Sequence, residues 1–212
     1  MGEVTKALSG RQAQAARNDR VILEAARAVF IDDPEAPISA VAERAGVGIS
    51  ALYRRYASKE ELLRRLCREG LERYIAAVEA ALADEGDAWD AFAGFMRRAV
   101  DAETHSLTLR LAGTFAPTED LYREAARAQE LNELLFARVR GAGAIRADIE
   151  VDDIALLLEQ LAAIRVGDGA RTRELRRRYL ALVLDGLRAP SSEGPLPGPP
   201  PTWKEVTERW NA

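Results

Sequence analysis

Apolar positions along this chain recur three and four residues apart, the period of a helix with one buried face, and no useful stretch alternates with period two. Ile22, Ala25, Ala26, Val29 and Phe30 form the first such stripe, with Asn18 or Asp19 as the expected cap. It stops at Asp32-Asp33-Pro34, because the residue before a proline avoids the helical region. Pro37 suits the first turn of a short second helix reaching about Ala45. Gly46-Val47-Gly48 interrupts, and a third helix is expected from Ile49 to about Tyr56. Ser58 with Glu61 reads as a capping box opening a long helix, in which Leu62, Leu66, Leu71, Ile75, Val78 and Leu82 keep helical spacing.

Glu85-Gly86-Asp87 closes that segment, and further helices are expected at about 88–103, 105–113, 118–140, 152–166 and 171–189. Breaks fall at Ala116-Pro117, Gly141-Ala142-Gly143 and Gly167-Asp168-Gly169. Pro190 to Pro201 is rich in Pro, Gly and Ser and is expected to be extended or disordered. Beyond it, Thr202 and Glu205 make a second capping box. Trp203, Val206 and Trp210 would share one face of a short tail helix, too short to persist alone, which either docks on the helical body of its own or the partner subunit or stays frayed. The fold class is therefore all-α: an N-terminal three-helix domain with a helix-turn-helix, then a larger helical domain. The expected divisions are a flexible arm (1–17), the helix-turn-helix domain (18–64), the larger domain (65–189) and a spacer with tail (190–212).

Two short helices joined by Gly46-Val47-Gly48 and packed on a preceding helix are the ingredients of a helix-turn-helix. Val41, Ala42 and Ala45 can face Val47 and Leu52 to set the inter-helix angle, while Gly46 can take a positive φ at the helix end. The third helix then projects Ile49, Ser50, Arg54 and Arg55, short or cationic side chains suited to a major groove. Tyr53 and Tyr56 carry hydroxyl tips that can reach phosphates, and Lys59 sits in the first turn of the next helix, where ammonium and backbone N–H groups can meet one. Charge supports this division of labour. Although the net charge is −4, residues 1–68 hold 12 Lys and Arg against 9 Asp and Glu, and the remainder 18 against 25. A basic front and an acidic rear leave the front third as the part that meets a polyanion. Arg11, Arg17 and Arg20, ahead of the first stripe, are either a minor-groove or phosphate arm or solvated charges.

The segment AVAERAGVGISALYRRYASKEELL resembles the helix-turn-helix of the tetracycline-repressor (TetR) family, most specifically at Ala45-Gly46-Val47, Leu52-Tyr53 and Lys59-Glu60. Ile145-Arg146-Ala147-Asp148-Ile149 and Tyr179-Leu180 through Asp185-Gly186-Leu187 are similar to later segments of the same family. The resemblance implies a homodimer, each subunit reading half of a double-stranded DNA operator, with Ser39, Ile49, Ser50 and Arg55 toward bases. Gly48 (through its amide), Tyr53, Arg54, Tyr56 and Lys59 would contact the backbone. Departures are Ala51 where Thr is frequent, Tyr56 where Phe is commoner, Ala57 for a frequent Pro, and Gly48 for a frequent Ser that would cap the recognition helix.

The resemblance also implies an effector cavity among the middle helices. Trp89, Phe92, Met96, His105, Phe115, Tyr122 and Phe136 are its candidate contacts, or else ordinary core. The last two body helices carry Ile154, Leu157, Leu158, Leu161 and Ile164, then Leu175, Leu180, Val183, Leu184 and Leu187, enough for a four-helix dimer interface or for internal packing. His105 is the sole histidine and Cys67 the sole cysteine, so neither a His/Cys metal set nor an internal disulfide is expected, and Cys67 reads as packed. No nucleophile–base pair or cofactor motif stands out, so an enzyme is not expected. With no apolar run of membrane length or signal-peptide pattern, the chain is expected to be cytoplasmic. The function expected is a sequence-specific transcriptional regulator, a repressor released by a small-molecule effector. The alternative is a helical adaptor or enzyme that does not bind DNA.

Overall fold

The computed structural model describes residues 10–102, 115–189 and 194–207. They are helical throughout apart from turns and one isolated bridge between Ile145 and Arg188, and the chain divides into two compact units, residues 1–66 and 67–212. The expected helix at 105–113, with His105, and the residue Trp210 lie outside the described residues.

The first unit contains α1 (Gly10–Asp32), α2 (Ile38–Ala45) and α3 (Ile49–Arg55), followed by the start of α4 (Lys59–Ala83). Helix α1 begins eight residues before Asn18, so neither Asn18 nor Asp19 caps it, and residues 10–17 are helix rather than arm. Its buried stripe is Ile22, Leu23, Ala25, Ala26 and Phe30, with Val29 only half-buried. Pro37 is the N-cap of α2, in extended conformation, one position earlier than the first turn. Gly46 has φ 65°, and the amides of Gly46 and Val47 close back on Glu43 and Ala42, which ends α2 and lets α3 leave at an angle. At the start of α4 the Ser58 hydroxyl accepts from the Glu61 amide at 3.2 Å. The Glu61 carboxylate accepts from Ala57 at 2.7 Å, one residue outside the box expected.

In the second unit α5 (Ala88–Asp101), α6 (Glu119–Gly141), α7 (Val151–Ala163) and α8 (Gly169–Leu187) pack with the rest of α4. Asp87, Thr118 and Asp168 cap α5, α6 and α8 with their side chains. Val78, Met96, Val139 and Leu158 form the closed core, and Tyr74 meets Phe95 edge-on at 5.4 Å. Arginines serve helix ends here. Arg138 donates to Ala81 and Gly86 carbonyls, each at 2.9 Å, and the buried Arg176 donates to Ala162 at 2.8 Å and Ile164 at 3.2 Å, satisfying carbonyls that α4 and α7 leave open. Residues 194–201 have no regular structure, and α9 (Trp203–Thr207) follows, started by Thr202 and Glu205 as the capping box predicts.

The apolar residues expected either at a dimer interface or in internal packing divide by burial. Ile154, Leu158, Leu161, Leu180, Leu184 and Leu187 face the interior of their own chain, and Leu157, Ile164, Leu175 and Val183 are half-buried. The exposed apolar residues of α8 are Tyr179 and Leu182.

Candidate functional site

Helix α3 is anchored at two points. Leu52 is fully buried and Tyr56, just past the helix, is 4% exposed. The opposite face carries Ile49 and Tyr53, 39% and 49% exposed, together with exposed Ser50 and Arg54, while Ser39 on α2 and Gly48 at the turn are also exposed. No side chain caps the first turn of α3, because Gly48 has none to offer. The sequence thus brings Ser39, Gly48, Ile49, Ser50, Tyr53 and Arg54 to solvent.

Three other expected contacts are already engaged inside the unit. Asp19, on α1, accepts two hydrogen bonds from the Arg55 guanidinium at 2.8 and 3.0 Å and one from the Tyr56 hydroxyl at 2.5 Å. The Arg55 bonds first, then that of Tyr56, hold the Asp19 carboxyl below its ordinary value against the opposing effect of burial. Burial chiefly, then the Asp19 carboxylate, pushes the Tyr56 hydroxyl up, so it stays protonated and donating. Tyr56 is therefore an internal strut of this unit, its hydroxyl held by Asp19. Arg55 keeps 60% of its side chain exposed, but its guanidinium is oriented by Asp19 rather than free to swing. The Lys59 ammonium donates to the Pro34 carbonyl at 2.9 Å and lies 5.3 Å from the Phe30 ring centre, tying α4 to the end of α1. Arg55, Tyr56 and Lys59, expected as DNA contacts, thus each have a partner within the unit. The partner that sequence reasoning missed is Asp19, 36 residues from Arg55, for which no local pattern exists.

The second unit holds a cavity of about 470 Å³. Of the expected effector contacts, Phe92, Tyr122 and Phe136 line it. Met96 is fully buried in closed core, Phe115 is buried without reaching the lining, and Trp89 borders a separate hollow of about 400 Å³, with the Arg188 guanidinium 5.5 Å from its ring. Cys67, Leu71, Tyr74, Leu121, Gln129, Asn132 and Glu159 also line the main cavity, as do Trp203 and Val206 from the tail. The Tyr74 hydroxyl donates to Asn132 at 3.1 Å. Burial pushes the Cys67 thiol up to about 12, so it behaves as a packed thiol and not a nucleophile. A signal for this wall exists in α6, where Tyr122, Ala125, Gln129, Asn132 and Phe136 fall on one helical face. Small and amide side chains interrupting an apolar stripe leave room that a solid core would fill.

Comparison with known proteins fits both units. Residues 22–66 match the profile of bacterial regulatory proteins of the tetR family, and residues 86–189 match the C-terminal domain of SbtR-like transcriptional regulators. The crystal structure of a TetR transcriptional regulator from Streptomyces coelicolor is 30% identical, with a TM-score of 0.58 over 82% of this chain and 99% of that one. A TetR regulatory protein from Mycobacterium vanbaalenii is 28% identical, with a TM-score of 0.57 over 84% and 99% of the two chains. The HTH-type transcriptional repressor LfrR of Mycolicibacterium smegmatis is 42% identical over 65 residues, a stretch spanning 31% of this chain and only 34% of that repressor. Its crystal structure in complex with proflavine shares the fold, with a TM-score of 0.59 at 23% identity, over 79% of this chain and 96% of that one. No helix among the described residues is long and apolar enough to cross a membrane. With a helix-turn-helix unit, a helical unit that holds a cavity, and relatives that are transcriptional regulators, the chain belongs to the TetR family of bacterial transcriptional regulators.

Proposed function

We propose that this regulator represses transcription by binding an operator as a homodimer and releases it when a small apolar molecule enters the cavity of the second unit. The observation that carries DNA binding is the outward face of α3, where Ile49, Ser50, Tyr53 and Arg54 are exposed on a helix held from behind by Leu52 and Tyr56. Ser50 and Arg54, with Ser39 on α2, would meet base edges or phosphates, and Arg55 would be presented in a fixed orientation by Asp19. Two such heads roughly 34–36 Å apart in a dimer would enter successive major grooves.

Dimer formation is supported by α8, on which Leu175, Tyr179, Leu182 and Gly186 share one helical face and Tyr179 and Leu182 are 47% and 61% exposed. The cavity supports the ligand reading. Its lining is mostly apolar, and Glu159 is the one charged side chain among the described lining residues, so neutral or cationic ligands fit it better than anionic ones. Helix α4 contributes Leu62, Leu63 and Leu66 to the core of the first unit and Leu71 and Tyr74 to the cavity wall, which gives a ligand a physical route to the reading head.

A mobility-shift titration against the protein's own upstream DNA at two salt concentrations tests the reading. Specific binding that weakens with salt is expected. Arg54→Ala should cost roughly 1–3 kcal/mol if it reads a base, or flatten the salt slope by about one unit if it holds a phosphate. Operator binding by Arg54→Ala and Tyr53→Ala equal to that of the unaltered chain would overturn it. For assembly, Leu182→Glu should convert a dimer seen by light scattering into a monomer that no longer holds the operator.

A further inference from the structure

We infer that the C-terminal segment, residues 194–206, is a wall of the ligand cavity, with Trp203 and Val206 as binding residues and the Arg146–Asp148 pair as the clasp that seats them. This rests on the reading of the cavity as a ligand site. Val206 is 7% exposed although it sits on a five-residue helix that could not persist alone in water, so α9 is held by what it packs on. What it packs on is α7, and both Trp203 and Val206 line the hollow together with Leu121, Ile154 and Ala155. Trp203 remains 42% exposed, the behaviour of a large ring with one side toward a half-open space.

The approach to α9 is tied down by a specific polar device. Arg146 is 9% exposed, and its guanidinium makes two bonds to Asp148, each at 2.9 Å, and a third to the Gly194 carbonyl at 3.1 Å. Asp148 in turn accepts from the Leu196 amide at 2.7 Å. Two backbone groups of the Pro-rich strap are thus held by a charged pair at the start of α7, and the Arg146 guanidinium with the Leu196 amide holds the Asp148 carboxyl well below the usual carboxylate range. A strap that merely trailed from α8 would need none of these. The spacing between clasp and Trp203 is set by Pro197, Pro199, Pro200 and Pro201, which cost little entropy to order.

The experiment is a fluorescence titration of the full chain with Nile red, a neutral apolar dye, beside Ala125→Trp, Trp203→Ala and a chain ending at Ala189. Ala125→Trp fills the cavity from α6 while leaving the tail unaltered, and should abolish dye binding. Trp203→Ala should weaken the dye roughly tenfold, because one aromatic wall is lost, and truncation should weaken it at least as much. Asp148→Ala, which touches no ligand, should weaken it roughly threefold in the full chain and have no further effect in the truncated one. A truncated chain that unfolds leaves Trp203→Ala, at a partly exposed position, to decide. Dye lost in Ala125→Trp but bound normally by Trp203→Ala and by the truncated chain would overturn the tail as a wall and leave the cavity reading intact. Dye indifferent to Ala125→Trp would overturn the cavity reading, and the wall with it.

Discussion

The reading head and the helical body solve the packing problem in opposite ways. In the first unit the inward side chains of α1, α2 and α3 are closed on one another, with Phe30, Val41 and Leu52 fully buried, and the polar network of Asp19, Arg55 and Tyr56 braces them from the rim. A unit of 66 residues has little core to spare, so a void there would cost a large fraction of its stability. The second unit is more than twice as long and keeps a cavity of about 470 Å³ beside a closed core of Met96, Val139 and Leu158. Under the proposed function, a head that presents side chains to DNA is close-packed, whereas a body that answers to a ligand keeps unfilled volume. The difference lies in packing density, not in helix content.

Core truncation should break this comparison most severely. Leu52→Ala is expected to destabilise the first unit by roughly 2–5 kcal/mol in urea unfolding, enough to melt the recognition helix and abolish operator binding. Met96→Ala should cost the second unit a similar amount. If either were tolerated, that region would not be close-packed as described.

The Asp19 brace comes next. Asp19→Ala leaves the buried Tyr56 hydroxyl without its acceptor and frees Arg55, and should cost roughly 1–3 kcal/mol, with loss of operator specificity beyond what stability explains. The pH dependence has a definite sign. Because the Asp19 carboxyl is held below its ordinary value, its contribution is present at neutral pH and above, and fades as pH falls below about 4. Thermal melts at pH 7 and pH 3 should therefore differ less for Asp19→Ala than for the unaltered chain. Tyr56→Phe removes the hydroxyl but keeps the ring, and should cost only about 0.5–1.5 kcal/mol. A loss as large as that of Asp19→Ala would mean that the hydroxyl, rather than the arginine, dominates the brace.

The smallest stability effect belongs to the cavity wall. Tyr122 is 51% exposed and lines the cavity, so Tyr122→Ala should shift stability by no more than about 0.5 kcal/mol while weakening Nile red. A stability loss comparable to that of Met96→Ala would show that this side of the body is core and not a site.

Element positions were largely legible along the chain because helical periodicity and end signals are local. Gly46 ends α2 with the positive φ its place demands, Asp87, Thr118 and Asp168 cap the helices that follow them, and Thr202 with Glu205 starts the tail helix. The outward set on α3 was equally readable, since a seven-residue helix with Leu52 inside leaves Ile49, Ser50, Tyr53 and Arg54 outside. Local signals ran out wherever a side chain had to choose between partners. Arg55 found Asp19, Lys59 found the Pro34 carbonyl, and Leu158 and Leu184 went to the interior of their own chain rather than to a surface. The same holds for the cavity, where large apolar side chains marked Trp89, Met96 and Phe115 as readily as Phe92, Tyr122 and Phe136, yet of these six only the latter three line it. Periodicity and caps are written within a few residues of one another, so the sequence alone determined the helices, their order and the exposed edge of the reading head. Which groups pair, and where the packing leaves room, depends on residues tens of positions apart meeting in three dimensions, and only the tertiary structure decided that.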